Sequence, residues 1–219
     1  MKIINLLALI LLVSFASSED QGDWVDVFNL PFEFPVHPFY AGYLKISATK
    51  SYFYVYHPSE SNPSKDPLVV RISAGPGCSP MYSWLYSKGP FIFTPGTDHF
   101  RHNPNNWNKE ANVLFIEGPA GVGFSYDTEK NSSEPLNDVE FAFENLKALF
   151  SFYDKFPELK DQALYLTGEQ YAGMTIPILA EMIVRHNADK YIPIWTRINL
   201  KGFLLENPCT LRDECDSHF

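Results

Sequence analysis

One turn in this 219-residue chain has the residue types and spacing of a site for covalent chemistry. The segment Gly168–Gly173 reads Gly-Glu-Gln-Tyr-Ala-Gly and joins a short apolar run to a helical pattern. Small residues on both sides allow the tight corner, called a nucleophile elbow, that exposes one side chain at the top of a sheet. The side chain at the centre is Gln170. A primary amide is a poor nucleophile and has no proton that an imidazole could remove to activate it.

The elements around this corner predict the α/β fold class. Four short apolar runs and two helical patterns follow an alternating hairpin pattern along the chain. The predicted strands are Leu68–Ile72, Asn112–Ile116, Ala163–Thr167 and Ile198–Leu205, the predicted helices Asn137–Tyr153 and Tyr171–His186, and the hairpin Gly42–Tyr56. Strands that alternate with helices favour a largely parallel sheet flanked by helices, and the hairpin adds antiparallel strands at one edge.

Each predicted helix carries a feature that fixes its placement. In the first, helical spacing predicts one buried stripe, formed by Val139, Ala142, Leu146, Leu149 and Tyr153. In the second, Pro177 has no N–H to donate, so we expect it within the first turns or at a kink.

The N-terminus has the three-part pattern of a secretory signal peptide. Lys2 precedes the apolar run Ile3–Phe15, and the small residues Ala16–Ser18 follow it. A membrane anchor is the competing interpretation, but a bilayer span needs about 20 apolar residues and this run is shorter. We therefore predict cleavage after Ser18, a mature domain over residues 19–219, and no membrane span after cleavage.

Secretion places the cysteines in an oxidising environment, where pairing is expected. There are three, so either one thiol is left over or its partner is absent. Cys209 and Cys215 are close enough in sequence to pair locally, which would leave Cys78 over. His218 alone cannot complete a metal site with them, so we predict no metal and no cofactor. Asn131-Ser132-Ser133 is the usable glycosylation sequon.

Composition and charge exclude several classes of partner. Hydrophobic residues make up 45% of the chain, which is enough for a sizeable core. The net charge is −9 and no run of lysine or arginine occurs. Nucleic acids and anionic membranes select basic patches, so neither is expected as a partner.

Several motifs, in one order, resemble the serine carboxypeptidase family of the α/β-hydrolase superfamily. Gly168–Gly173 alone fits many strand-to-helix turns, but it resembles the family's Gly-Glu-Ser-Tyr-Ala-Gly elbow. Ala74–Ser79 resembles the family's Gly-Gly-Pro-Gly-Cys-Ser loop, and Glu117–Tyr126 resembles its Glu-Ser-Pro-Ala-Gly-Val-Gly-Phe-Ser-Tyr signature. The likeness extends from about Gly42 to Asn207.

The resemblance implies a function and a location. Intact family members remove C-terminal residues from peptides, often in acidic compartments, by acyl transfer through a Ser-His-Asp triad. Two backbone N–H groups form their oxyanion hole, and these positions match Gly75 and Tyr171 here. The expected location is the secretory pathway, ending outside the cell or in a lysosome-like or vacuole-like compartment.

The chain also departs from the family pattern at residues that the resemblance makes functional. Gln170 occupies the position of the nucleophilic serine. The family holds the terminal carboxylate of a peptide with an Asn and two Glu, and the matching positions are Ser73, Ser87 and Glu169, of which only Glu169 is retained. We interpret Ser79 and Ser125, which lie in family motifs without a paired base, as structural residues.

These departures predict a secreted, truncated family member without peptidase activity. The family's triad Asp and His come from a C-terminal half, and His186 and His218 are not expected to replace the histidine. We therefore expect only the N-terminal part of the domain, with exposed apolar surface along Ile198–Leu205. Three alternatives stay open. The first is an active enzyme that works by a different route, or that needs a missing C-terminal half or a second chain supplying Asp and His. The second is a pseudoenzyme that binds peptide C-termini or an intact relative, and the third is an incomplete gene model, in which Gln170 would still remove the nucleophile.

Overall fold

The computed structural model describes residues 22–25, 27, 37–72, 75, 77–94, 100–129 and 136–211. The predicted signal peptide, Ser73, Asn131 and Cys215 lie outside these described residues. In the described ranges no helix is both long and apolar enough to span a bilayer.

A mixed β-sheet forms the centre of the fold. Its strands are β1 (Trp24–Val25), β2 (Phe39–Lys45), β3 (Lys50–His57), β4 (Leu68–Ile72), β7 (Asn112–Ile116), β8 (Tyr126–Asp127), β9 (Leu164–Glu169) and β10 (Leu200–Glu206). Strands β5 (Phe91–Phe93) and β6 (Phe100–His102) form a separate antiparallel pair. Along the sheet the order is β1-β2-β3-β7-β4-β9-β10, and β8 pairs with β3.

The sheet confirms the predicted fold class. Strands β7, β4, β9 and β10 are mutually parallel, and β1, β2 and β3 add an antiparallel edge at the predicted hairpin. The predicted bounds of β4 and β7 are correct. Strand β9 begins one residue later than predicted, and β10 begins two residues later. Ile198, which was predicted to begin the last strand, lies just before β10 and is buried. Asn187 holds it there, because its side chain bonds both backbone groups of Ile198.

Helices cover the sheet. The three-residue α1 (Met81–Ser83) continues into a π-helix, Trp84–Lys88, while α2 (Asp138–Lys155) and α3 (Ala172–Ala188) are long. A capping box between Asn137 and Glu140 begins α2 and satisfies two backbone donors of its first turn.

Two details of the helices are decided by packing. The prediction that Val139 is buried was wrong, since it is 56% exposed. The buried face of α2 is centred nearer to Phe141, Asn145 and Phe152, which rotates Val139 away from the sheet. Pro177 lies in the second turn of α3, as the sequence allowed, and the helix continues through it to Ala188.

The core has one layer on each face of the sheet. Helices α2 and α3 pack on one face, against a cluster that includes Tyr52, Tyr54 and Tyr56 of β3. On the other face, alternate strand residues such as Val55, Val113 and Phe115 pack with Met81 and Trp84. This alternation follows from strand geometry, in which successive side chains point to opposite faces. At the β10 edge, Phe203 and Leu204 are 45% and 61% exposed.

Candidate functional site

The corner between β9 and α3 is as sharp as the sequence predicted. Gln170 has a φ of +50°, a left-handed conformation that costs a side chain with a Cβ about 1–2 kcal/mol. Backbone hydrogen bonds hold it: the Gln170 N–H donates to the Glu206 carbonyl at 3.0 Å. Its own carbonyl accepts from the N–H groups of Gly173 at 2.9 Å and Cys209 at 2.8 Å. The strained turn is therefore fixed by its neighbours, as is usual at functional sites.

The residues beside this turn must be small because atoms of neighbouring residues lie very close to them. A Cβ at Gly168 would lie 2.4 Å from the Cβ of Ala172. A Cβ at Gly173 would lie 2.5 Å from the Cys209 carbonyl oxygen. Both distances are far below van der Waals contact, so neither position accepts a larger residue without backbone movement.

A cavity of about 360 Å³ opens beside the corner. Its wall is formed by the end of β4, by residues 78–80, 82 and 83, and by Glu169 and Gln170. Tyr82, at 69% exposure, stacks on Tyr86 with ring centroids 4.6 Å apart and adds an aromatic surface beside the opening. Gln170 itself is exposed. The corner therefore presents its side chain at an open cavity, as an elbow presents a reactive group.

A charged cluster, Arg71–Lys88–Glu169–Glu206, includes two residues of the cavity wall, Arg71 and Glu169. The Arg71 guanidinium is 2.5 Å from a Glu169 carboxylate oxygen and 3.5 Å from one of Glu206. Lys88 reaches the same Glu206 oxygen at 3.1 Å. Trp107 lies under both cations, with its ring centroid 5.9 Å from the Arg71 guanidinium carbon and 4.8 Å from the Lys88 nitrogen.

Of these four residues, the sequence patterns predict a site role only for Glu169. The available signal was Arg71, a charged residue inside an otherwise apolar strand, Leu-Val-Val-Arg-Ile. A charge at such a position needs a buried partner. Which partner it finds depends on β4, β9 and β10 lying side by side, and no local pattern contains that information.

The predicted carboxylate receptor is only partly assembled here. Glu169 lines the cavity, whereas Ser87 is exposed, is not among the lining residues, and donates its hydroxyl to the Ser83 carbonyl. Ser73 lies outside the described residues. The assignment of Gly75 and Tyr171 to an oxyanion hole stays a prediction; the Tyr171 hydroxyl donates to Asp138, which ties the corner to α2.

The two serines interpreted as structural make structural hydrogen bonds. Ser79 donates to the buried carboxylate of Glu117, which also accepts from the Phe124 N–H at 2.7 Å. Ser125 donates to the Glu117 carbonyl at 2.7 Å and accepts from the Phe53 N–H at 2.7 Å. These bonds fix the loop after β7, and neither hydroxyl is placed beside a histidine among the described residues.

Two described histidines have structural surroundings. His57 is buried, stacks on Phe39 with centroids 4.7 Å apart, and accepts a hydrogen bond from the Trp84 indole at 2.9 Å. Burial lowers the pKa of His57 to about 3. His186 contacts Phe150 and the Thr196 carbonyl, near the end of α3. At 1.5 Å per residue it lies roughly 21 Å along the helix from Ala172.

The cysteines are only partly described. Cys78 is exposed on the cavity wall. Cys209 is disulfide-bonded. Its predicted partner, Cys215, lies outside the described residues, so the pairing stays a prediction. In the part of the chain that the structure describes, no group of three or more candidate ligand residues is arranged to hold a metal ion.

Comparison with known proteins places these features in a family context. Residues 31–217 match the family model described as "Serine carboxypeptidase". The chain is 37% identical over 214 residues to the lysosomal protective protein of Mus musculus, covering 96% of this chain and 43% of that protein. It is 39% identical over 200 residues to serine carboxypeptidase-like 35 of Arabidopsis thaliana, covering 89% of this chain and 41% of that protein.

A solved carboxypeptidase structure has a fold similar to that of this chain. The crystal structure of Kex1Δp, a prohormone-processing carboxypeptidase from Saccharomyces cerevisiae, superposes with a TM-score of 0.73 at 28% identity. The match covers 89% of this chain and 44% of that one. The chain thus spans less than half the length of these relatives.

Proposed function

The chain belongs to the serine carboxypeptidase family, and we propose that it is a member that binds peptides without forming the family's acyl-enzyme. One observation carries the proposal: the exposed side chain at the strained corner is the carboxamide of Gln170, held at φ +50° beside the cavity. The corner keeps the backbone of a nucleophile elbow, but the group that it presents is not a nucleophile.

The chemistry of that group supports the proposal. Acyl transfer by the family's route begins when a base removes a proton from a hydroxyl and the oxygen attacks a carbonyl carbon. The carboxamide nitrogen shares its lone pair with the adjacent carbonyl, so it attacks poorly whether or not a base is present. The block therefore lies in the residue itself.

The remaining features suit a binding role. The cavity, the tight corner and Glu169 are all retained, and a concave site with a few polar groups is where ligands bind. We propose a peptide end as the ligand, since peptide C-termini are what the family recognises. The signal-peptide pattern and the lysosomal protective protein among the relatives support a secretory or lysosome-like location.

A fluorophosphonate probe tests the proposal directly. The full chain, expressed through the secretory pathway, is treated with the probe at pH 5 and pH 7, beside the mouse lysosomal protective protein as a positive control. We expect no labelling of the wild-type chain at either pH. Labelling that persists in wild type and disappears in Gln170→Ala would overturn the proposal.

The Gln170→Ser variant then separates two causes of inactivity. If the introduced serine reacts with the probe, the amide is what blocks the chemistry in the wild-type chain. If it does not react, the proposal stands and other parts of the machinery are also missing from the expressed protein. Each variant is compared with wild type by circular dichroism, so that loss of folding is not mistaken for loss of reactivity.

A further inference from the structure

We infer that the loop between α3 and β10 is a docking tip for a lipid surface that carries anionic headgroups. The docking tip is defined as residues 189–197. It is separate from the cavity at Gln170, so the inference goes beyond the proposed function and does not depend on it.

The docking tip carries an unusual group of exposed apolar side chains. Among the described residues, the three most exposed large apolar side chains are Tyr191 at 83%, Trp195 at 78% and Ile194 at 72%. Single exposed apolar side chains are normal on a protein surface, whereas a group of neighbours marks an interaction site. Such high exposure also means that these side chains protrude, because the walls of a groove would shield them.

Hydrogen bonds hold the docking tip in one conformation. The Tyr191 N–H donates to the Asp189 carboxylate at 2.9 Å. A 3₁₀ turn, Ile194–Thr196, follows, and both the N–H and the hydroxyl of Thr196 donate to the Pro193 carbonyl, at 3.0 and 2.7 Å. The apolar side chains therefore project from an ordered turn, so docking loses little conformational entropy.

The residue types favour a bilayer over a protein as the partner. Tryptophan and tyrosine concentrate at the boundary between membrane and water, because each ring is apolar with one polar group. Lysine and arginine beside them keep their charged ends among the headgroups while their stems lie along apolar surface. A protein partner needs a pocket that matches each protruding side chain, whereas a bilayer accepts such side chains without one.

The charge of the docking tip is opposite in sign to that of the whole chain. The chain has a net charge of −9, but the docking tip contains two cations, Lys190 and Arg197, and one acid, Asp189. Both cations are exposed, and the Lys190 ammonium lies 4.9 Å from the centroid of the Tyr191 ring. Acids more than about 10 Å away are screened by salt, so they oppose docking only weakly. Two cations seven positions apart do not form a run, and the sequence therefore predicts no anionic membrane as a partner.

The docking tip lies at the end of the sheet opposite to the cavity. Strands β9 and β10 are parallel, so α3 returns the chain from the carboxyl end of β9 to the amino end of β10. Helix α3 has 17 residues, which span about 25 Å. A chain docked by its tip therefore keeps the corner at Gln170 away from the bilayer and open to solution.

Vesicle binding tests the inference. The full chain, expressed through the secretory pathway, is mixed at pH 7 with phosphatidylcholine vesicles that contain roughly 30% phosphatidylserine, and the bound fraction is measured by sedimentation. We expect half-saturation at submillimolar lipid. Vesicles of phosphatidylcholine alone should bind about fivefold more weakly, the factor for one surface cation. Absence of binding to the anionic vesicles at millimolar lipid would overturn the inference.

Two variants test whether the docking tip is the binding surface. The double variant Ile194→Ser, Trp195→Ser removes two protruding apolar groups and should weaken binding about tenfold or more. Phe124→Ser is the matched control, because it removes a side chain that is 65% exposed from the loop after β7, and it should bind as wild type does. Circular dichroism checks the folding of both variants. An unchanged affinity in the double variant, or an equal loss in the control, would contradict the inference.

Fluorescence quenching gives a measurement that needs no loss of binding. Vesicles with brominated acyl chains quench a tryptophan that inserts among them. Trp195→Phe keeps an apolar ring at the docking tip, so it should still bind, but it should lose most of the quenching that wild type shows. Equal quenching of both proteins would refute the inference.

Size-exclusion chromatography with light scattering tests the rival occupant, a second copy of the chain. We expect the wild type and the double variant to have the same mass. A wild-type dimer that dissociates in the Ile194→Ser, Trp195→Ser variant would assign the docking tip to a second copy and would also refute the inference.

Discussion

Arg71 and His57 are two buried bases in one sheet, and the fold accommodates them in opposite ways. Each is 1% exposed. Arg71 lies at the charged cluster, against Glu169 and Glu206. His57 lies instead among the aromatic rings of Phe39, Trp84 and Phe91.

The difference follows from whether the base can lose its proton. A guanidinium cannot, so burying it requires carboxylates nearby. An imidazole can, so aromatic surroundings lower its pKa and keep it neutral, and its Nε2 is then available to accept from the Trp84 indole at 2.9 Å. The carboxylates around Arg71 form a polar site, whereas the aromatic rings around His57 form part of the hydrophobic core.

One short segment joins the two regions. The π-helix Trp84–Lys88 begins with the residue that binds His57 and ends with the residue that binds Glu206. Insertions of this kind into helices occur often at functional sites. Here the segment fixes the charged cluster on one side and the aromatic packing on the other.

The largest effect should come from removing both acids of the charged cluster. The double variant Glu169→Gln, Glu206→Gln leaves a buried guanidinium without an anion, and we expect a loss of about 3–5 kcal/mol in unfolding free energy. Urea titration at pH 7 measures it. Glu181→Gln is the control, since Glu181 pairs with Arg185 at an exposed helix surface and should cost under about 0.5 kcal/mol. A double-variant loss below about 1 kcal/mol would mean that solvent reaches Arg71.

The second-largest effect should be a pH dependence of the unfolding free energy that is caused by His57. The pKa of His57 is about 3 in the folded chain and 6.5 in the unfolded chain. Between these two pH values, the unfolded chain therefore binds a proton at His57 that the folded chain does not bind. The stabilisation is complete above pH 6.5 and declines as the pH falls toward 3. Between pH 7 and pH 5 we expect a loss of about 2 kcal/mol from this residue.

Urea titrations at these two pH values check the assignment to His57. In His57→Phe the part of the pH-dependent loss due to the imidazole should disappear, which reduces the difference between pH 7 and pH 5 by about 2 kcal/mol. His102→Gln, at an exposed position, should keep the wild-type difference. An unchanged difference in His57→Phe would show that other groups cause the pH dependence.

The smallest effect should come from Lys88. Its ammonium lies at the rim of the cluster with a side chain 22% exposed, and Glu206 keeps Arg71 as a partner when Lys88 is lost. Lys88→Gln should therefore cost about 0.5 kcal/mol at low salt and less at high salt. Urea titrations at two salt concentrations measure it. A loss as large as that of the double variant would mean that Lys88 and Arg71 are equally important to stability. That result would contradict the difference between a buried Arg71 and a Lys88 at the rim of the cluster.

The sequence predicted the parts of this protein whose cause is local. The apolar runs at β4 and β7 are bounded by turn residues, so their ends were predicted correctly. The corner at Gln170 was predicted from small residues, and the close approaches at Gly168 and Gly173 give the reason. The identity of Gln170 needs no structure, because a carboxamide is not a nucleophile in any surroundings.

Tertiary structure decided what depends on residues distant in sequence. Val139 fits the helical stripe, but the face of α2 that is buried excludes it, so its side chain is exposed. Arg71 is visibly unusual in its strand, yet its partner Glu169 is 98 residues away and Glu206 is 135 away. They meet because parallel strands bring their carboxyl ends to one edge of the sheet, and the charge of the cavity follows from that meeting.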